Sequence, residues 1–350
     1  MRIDIIPVRC LAALGETWRA FEAEVPGLSF FQSWTWIGCL AEERFGDPLL
    51  LRAEAGGRLL GLALFNRRRG RLCLAESGEA GLDAPFIEHN APLLAAGAGP
   101  EVLAALLRAA WSVPGARRLV LSGVPPPVAA AAGGVAFRRQ ERQAPFVDLD
   151  AVRAAGGEWM ASLSANTRYQ IRRSLRRYAA RGALALERAA TEAEALAWLE
   201  ALVALHEASW RARGQPGAFA TPFLRRFHRA LVTRALARDE LDLLRLTAGG
   251  EAVGYLYNFR LRGRVYAYQS GLDHAGAGAH GKPGLSCHAL AVERALAAGE
   301  GAYDFLAGAD RYKRSLANAA APLLWVEAVP AWSVPGLVAR LRRAVSGREG

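Results

Sequence analysis

Lysine is nearly missing from this sequence. Of its 44 basic residues, all but Lys282 and Lys313 are arginine. Either the two are chance survivors of an arginine-rich composition, or they mark places where a compact charge with rotatable donors is needed. Cysteine is also scarce. Cys10, Cys39, Cys73 and Cys287 lie far apart without a CxxC spacing, so the reading is buried free thiols, with no disulfide frame. Six histidines show no HExxH or other ligand spacing, so metal chemistry is not expected. The longest uncharged run, Leu119 to Phe137, holds Pro125, Pro126 and Pro127, which break a spanning helix; no transmembrane segment is expected. The first residues lack the apolar core of a signal peptide, which points to the cytoplasm.

What remains is a globular chain of 350 residues, 52% apolar and 22% charged, long enough for two domains. The net charge of +11 suits anionic partners: nucleic acid, phosphorylated cofactors or acidic lipid headgroups.

The chain repeats itself. Leu50–Gly78 aligns without gaps on Leu243–Gly271, with 13 of 29 positions identical. Shared glycine spacing (Gly56/Gly249, Gly57/Gly250, Gly61/Gly254, Gly70/Gly263) is harder to ascribe to composition than shared leucine or arginine. Each copy reads as a three-stranded meander with tight glycine turns, followed by a helix and a strand. In the first copy these are Pro100–Trp111 and Arg118–Ser122. In the second they are Gly284–Ala298 and Ala302–Leu306. Between the copies, Pro145–Asp150 reads as a closing strand and Ala151–Ser162 as a helical linker. Long helices are expected at about 165–181, 192–212 and 221–237, then a strand at Pro322–Val329 and a basic helix at 335–345. The expected domains are 1–150, 151–330 and a terminal helix over 331–350.

Four segments carry a family likeness: Leu163-Ser-Ala-Asn-Thr-Arg-Tyr-Gln-Ile-Arg-Arg-Ser-Leu-Arg-Arg-Tyr178; His206-x-x-x-Trp210-x-x-Arg213-Gly214; Lys282-Pro283-Gly284 before a helix; and Tyr303-Asp-Phe-Leu-Ala-Gly308 with Tyr312-Lys313. Together they resemble the GNAT acyltransferases, in particular the BioF2-like or CelD-like subgroup, which is similar to the Fem-type peptidyltransferases. The resemblance implies an α/β (α+β) chain with a tandem duplicated GNAT fold, each unit a mostly antiparallel sheet flanked by helices. It also implies transfer of an acyl group from acetyl-CoA or another acyl-CoA to an amine, with an amino sugar or other polysaccharide or envelope precursor, small or nucleotide-linked, as the candidate acceptor. Two other readings stay open: a Fem-type transferase using aminoacyl-tRNA, and a non-catalytic nucleic-acid binder. The loop Gly281-Lys-Pro-Gly-Leu-Ser286 departs from the usual GNAT pyrophosphate loop. In the first copy Glu101 stands at the corresponding helix start, where it would repel phosphate, so that unit is expected to lack a cofactor site.

The candidate cofactor residues are Lys282, Gly284, Leu285 and Ser286 at a helix start, an anion site by its free N–H groups, with Gln269 and Ser270 along the preceding strand. Otherwise the loop is an ordinary helix start with proline. The resemblance makes Tyr312 a general acid for the departing thiolate and Lys313 a stabiliser of the oxyanion, against a packed tyrosine and a solvated lysine. Asp304, Asp273, His274 and a bound water are candidates for the base. Six arginines (168, 172, 173, 176, 177, 181) fall in a stretch free of acids between Glu158 and Glu187. Arg168 and Arg172 are candidate substrate contacts, or part of a solvated face. His206 and Trp210, one turn apart, line an acceptor pocket or belong to the core.

Overall fold

The computed structural model describes residues 1–79, 84–278, 280–308, 310–334 and 336–339. Arg340, Arg342 and Arg343 of the expected terminal helix lie outside them. The chain forms two compact units. Unit 1 joins Met1–Arg142 to the chain from Pro322; unit 2 is Gln143–Ala321. The sequence alone puts the divisions at 150 and 330. They fall earlier because one strand starts in unit 1 and ends in unit 2, and another does the reverse.

Unit 1 contains β1 (Arg2–Pro7), α1 (Leu11–Glu22), α2 (Trp34–Arg44), β2 (Pro48–Ala55), β3 (Arg58–Arg68), β4 (Arg71–Leu74), the short β5 (Leu93–Leu94), α3 (Pro100–Ala110), β6 (Arg118–Val124), α4 (Pro126–Ala131) and most of β7 (Val135–Asp148). Unit 2 continues with α5 (Leu149–Ala154), α6 (Trp159–Ser162), α7 (Ala165–Ala179), β8 (Leu184–Arg188), α8 (Glu192–Arg211), α9 (Pro222–Ala237), β9 (Leu241–Ala248), β10 (Glu251–Leu261), β11 (Arg264–Leu272), α10 (Pro283–Ala297), β12 (Ala302–Asp304) and α11 (Arg311–Leu316). The last strand, β13 (Ala319–Val329), returns to pair with β6 in unit 1.

The duplication holds at the level of single residues. The bounds of β9 and β10 are those of β2 and β3 moved by 193 positions. In both pairs the register slips at the same place, one residue before Gly61 and before Gly254. Both first turns use two glycines with positive φ, and both second turns use Arg-Gly, with Arg69 at φ 49° and Arg262 at φ 50°. Such double positive-φ turns match the twist of a hairpin. Both units also order their elements alike: strand, two helices, antiparallel meander, helix, then a strand parallel to the third meander strand. Gly61 and Gly254 serve close packing. A Cβ at Gly61 would lie 3.0 Å from Leu106 of α3, and one at Gly254 3.2 Å from Cys287 of α10.

In unit 2 the sheet runs from the end of β7 through β12, β11, β10 and β9 to β8. One face meets α7 and α10 through Ile171, Tyr178, Cys287, Val292, Leu246, Leu256 and Val265. The opposite face carries Tyr257 and Tyr268 against His228 of α9. On that side α8 runs so close to β11 that a Cβ at Gly271 would lie 2.3 Å from the Leu202 carbonyl.

The expected linker helix over 151–162 is two short helices, parted at Gly156 and Gly157, both at positive φ. The expected strand at 145–150 is the end of the longer β7, and the last two of those residues already belong to α5. Cys10 is exposed, against expectation; the other cysteines are buried and all four are free. No described helix is long and apolar enough to cross a membrane.

Candidate active site

The parallel pairing of β11 with β12 covers only Arg264–Tyr266 against Ala302–Asp304, and β11 then runs on to Leu272 without β12. Two groups of candidate residues flank this parting: the first turn of α10 and the segment Tyr303–Lys313.

Proline fits the first position of α10 because no intrahelical acceptor exists there. For the same reason the N–H groups of Gly284 and Leu285 have no acceptor within the helix. The first turn holds no acid. The Lys282 N–H donates to Ser174 Oγ (2.8 Å), and Ser174 Oγ lies 2.8 Å from Ser286 Oγ, which clasps α7 to α10. Lys282 Nζ donates to Gln170 of α7 (2.6 Å). The Ser286 hydroxyl is therefore committed, and this turn offers an anion its backbone and the Lys282 charge. In unit 1 the start of α3 differs. Glu101 folds its carboxylate over Gly99, so near that a Cβ on Gly99 would lie 2.2 Å from it. An acid already occupies that helix start.

Asp304 does not face open space. It is fully buried; Arg264 Nη1 donates to Oδ2 (2.6 Å) and the Leu306 N–H to Oδ1 (2.8 Å). Both of its oxygens are thus engaged, and through Leu306 it braces the turn that follows β12. Leu306, in turn, sits at φ 61°. Lys313 Nζ donates to the Leu306 and Ala307 carbonyls at 3.3 and 3.1 Å, closing the loop on itself. Tyr312 is 37% exposed. Burial, then nearby Asp310, raises its phenol well above the usual range. One face of its ring lies on His288 of α10, with centroids 5.5 Å apart and planes at 21°.

His288 is a residue the sequence did not single out. It is buried, its Nδ1 lies 3.0 Å from the Tyr303 hydroxyl, and burial followed by the charge of Lys313 pushes its pKa down to about 3. A lone histidine on an apolar helix face carries no signal in one dimension; only the fold brings it to Tyr303 and Tyr312.

His206 is a core residue. Its Nε2 accepts the Ala218 N–H (3.1 Å), which leaves the proton on Nδ1 to donate to the Ser270 carbonyl (3.0 Å). Burial holds its pKa below the usual value. It ties α8 to β11, while Trp210 stacks beside it at 5.6 Å and meets Arg213. The Ser270 carbonyl is thus taken on the α8 side. Gln269 is partly buried and pairs with Tyr257 of β10. Asp273 accepts the Gly276 N–H, and His274 is exposed.

On α7 the arginines divide. Ile171, Ser174 and Tyr178 are buried. At roughly 100° per residue, Gln170, Arg173 and Arg177 fall toward Lys282, and Arg172 and Arg176 on the far flank. A Cβ on Gly278 would lie 3.5 Å from Arg177 Nη2. Arg168 donates to the Ala161 (3.0 Å) and Leu163 carbonyls at the end of α6, so it caps that helix. Arg168, Tyr169, Arg172, Leu175 and Arg176 line an open groove of about 730 Å³. Arg173 and Arg177 thus lie on the Lys282 side of α7, whereas Arg168 and Arg172, the candidate substrate contacts, both line the groove.

Comparison with known proteins fits this geometry. Residues 165–314 match the acetyltransferase (GNAT) domain family. No curated protein matches the sequence. Among solved structures, FemX is similar at 10% identity and a TM-score of 0.62, over 92% of this chain and 97% of its own. L-PGS from Bacillus licheniformis is similar at 16% identity and a TM-score of 0.56, over 93% and 96%. A conserved protein of unknown function from Bacteroides thetaiotaomicron is similar at 12% identity and a TM-score of 0.58, over 94% and 100%. At such identities the likeness is one of fold. The match to the GNAT-type acetyltransferase domain thus covers residues 165–314, within unit 2 of a chain whose two units share one order of elements.

Proposed function

We propose that the protein is an N-acyltransferase that moves an acyl group from acyl-CoA to an amine. The observation that carries this is the parting of β11 and β12 between an acid-free helix start and the Tyr312–Lys313 turn. The N–H groups of Gly284 and Leu285, with Lys282, Arg173 and Arg177, suit the phosphates of the donor. Gln269 and the stretch of β11 beyond its pairing with β12 suit its pantetheine arm. In the reaction the amine nitrogen attacks the thioester carbon, and the positive charge of Lys313 favours the tetrahedral oxyanion. On collapse the C–S bond breaks with its electron pair going to sulfur. The Tyr312 hydroxyl gives that sulfur its proton, and the phenolate regains one from the proton the amine has shed. Asp304 and Arg264 hold the loop. The amine class that fits the resemblance is an amino sugar or another polysaccharide or envelope precursor.

Thiol release from acetyl-CoA, followed with a panel of amines, tests this reading. Tyr312→Phe and Lys313→Met should each lower kcat about a hundredfold with donor binding kept. Turnover unchanged in both variants would remove the assigned roles.

A second reading has its own observation. Arg172, Arg173, Arg176 and Arg177 are all exposed on α7. That face, with a FemX-like fold, suits aminoacyl-tRNA as donor. Binding of tRNA that weakens steeply with salt, with no binding of CoA, would favour it.

A further inference from the structure

We propose that His288 is the positioning residue of the Tyr312 acid: its ring, locked edge-on by Tyr303, is the platform that holds the Tyr312 phenol beside the parting of β11 and β12. The inference rests on the reading of Tyr312 given above and deepens it.

Three elements meet here. His288 stands on α10, Tyr303 on β12 and Tyr312 on α11. Tyr312 projects from a helix of six residues and is partly exposed, so its own element fixes it poorly. The near-parallel stack on His288 supplies the missing constraint, and Phe305 closes a second side with its ring edge-on at 6.4 Å. The platform is itself locked. Tyr303 is fully buried, and its hydroxyl lies 3.0 Å from His288 Nδ1. Asn258 Nδ2 donates to Asp242 (3.3 Å), and Arg294, two turns along α10, donates to the other Asp242 oxygen (2.8 Å). Two sets of bonds therefore fix α10: His288 to Tyr303 of β12, and Arg294, together with Asn258 of β10, to Asp242 of β9. A ring held this way has one orientation.

The imidazole also suits the task by its charge. Burial opposes an imidazolium, and the charge of Lys313 opposes it further, so the ring is neutral in the working range. It does not compete with Tyr312 as proton donor, and it keeps water from one face of the phenol.

The test is a double-mutant cycle of His288→Ala with Tyr312→Phe, read as kcat and donor KM, together with an ultraviolet titration of the Tyr312 phenol. That ionisation is isolated as the difference between spectra with and without Tyr312→Phe. His288→Ala alone should lower kcat at least tenfold with donor KM changed less than twofold. In the Tyr312→Phe background it should do almost nothing further, and it should move the phenol titration down by a unit or more as water reaches the ring. His288→Phe, which keeps a flat ring, should recover part of the loss and serves if the alanine variant folds poorly. Equal losses in both backgrounds, or an unmoved titration in a folded variant, would overturn the inference. Tyr312→Phe with full turnover would instead overturn the acid reading. The titration needs no substrate, so the positioning claim stands or falls by it even if no amine is accepted.

Discussion

Two histidines are kept neutral by the fold. His228 and His288 are both buried and carry pKa values pushed down to about 3, chiefly by burial. In the unfolded chain each titrates near 6.5. Between those values the unfolded state binds more protons, so stability is complete above about 6.5 and is lost as pH falls toward 3. The slope is at most about 1.4 kcal/mol per pH unit for each group. Urea unfolding at pH 7.5 and pH 5 should therefore differ by about 2 kcal/mol per histidine, and His228→Phe should flatten the dependence. Equal stability at both pH values would contradict the assignment. Tyr312 has the opposite sense: its raised pKa keeps the phenol protonated, so kcat should show no descending limb due to Tyr312 below about pH 10. A limb near neutral pH that vanishes in Tyr312→Phe would contradict it.

Among the elements, those with strong periodicity were legible in the sequence. The helices expected at 165–181, 192–212 and 221–237 are found at 165–179, 192–211 and 222–237. Glycine pairs at fixed spacing announced both meanders. The polar stretch Arg138–Gln143 hid the middle of β7, because it is exposed on both faces and shows no alternation. A helical pattern also gives a face but not what the face meets: that Arg168 caps α6 and Arg177 approaches Gly278 is visible only in the fold. The clasp between α7 and α10 is a buried pair of hydroxyls, so Ser174→Ala should cost about 1 kcal/mol in unfolding free energy. Gly254→Ala should cost about 1–3 kcal/mol, since its Cβ would meet Leu272 at 2.9 Å. A neutral result for Gly254→Ala would mean that the Leu272 side chain moves aside without cost.

For the molecule as a whole, duplication has left two units that share a frame but not a helix start. The first turn of α10 is free of acid, whereas Glu101 covers that of α3. The chain should then bind one acyl-CoA, not two, and calorimetric stoichiometry checks this. The measurement that bears most directly on the acyl-CoA reading is thermal unfolding with and without acetyl-CoA at low and high salt. With the ligand at about 100 times its dissociation constant, the folded state should gain about 2.7 kcal/mol and the midpoint should rise at both salt concentrations. Lys282→Ala should reduce the rise. An unmoved midpoint with acetyl-CoA and with longer acyl-CoAs would contradict the account and bring aminoacyl-tRNA forward as the donor.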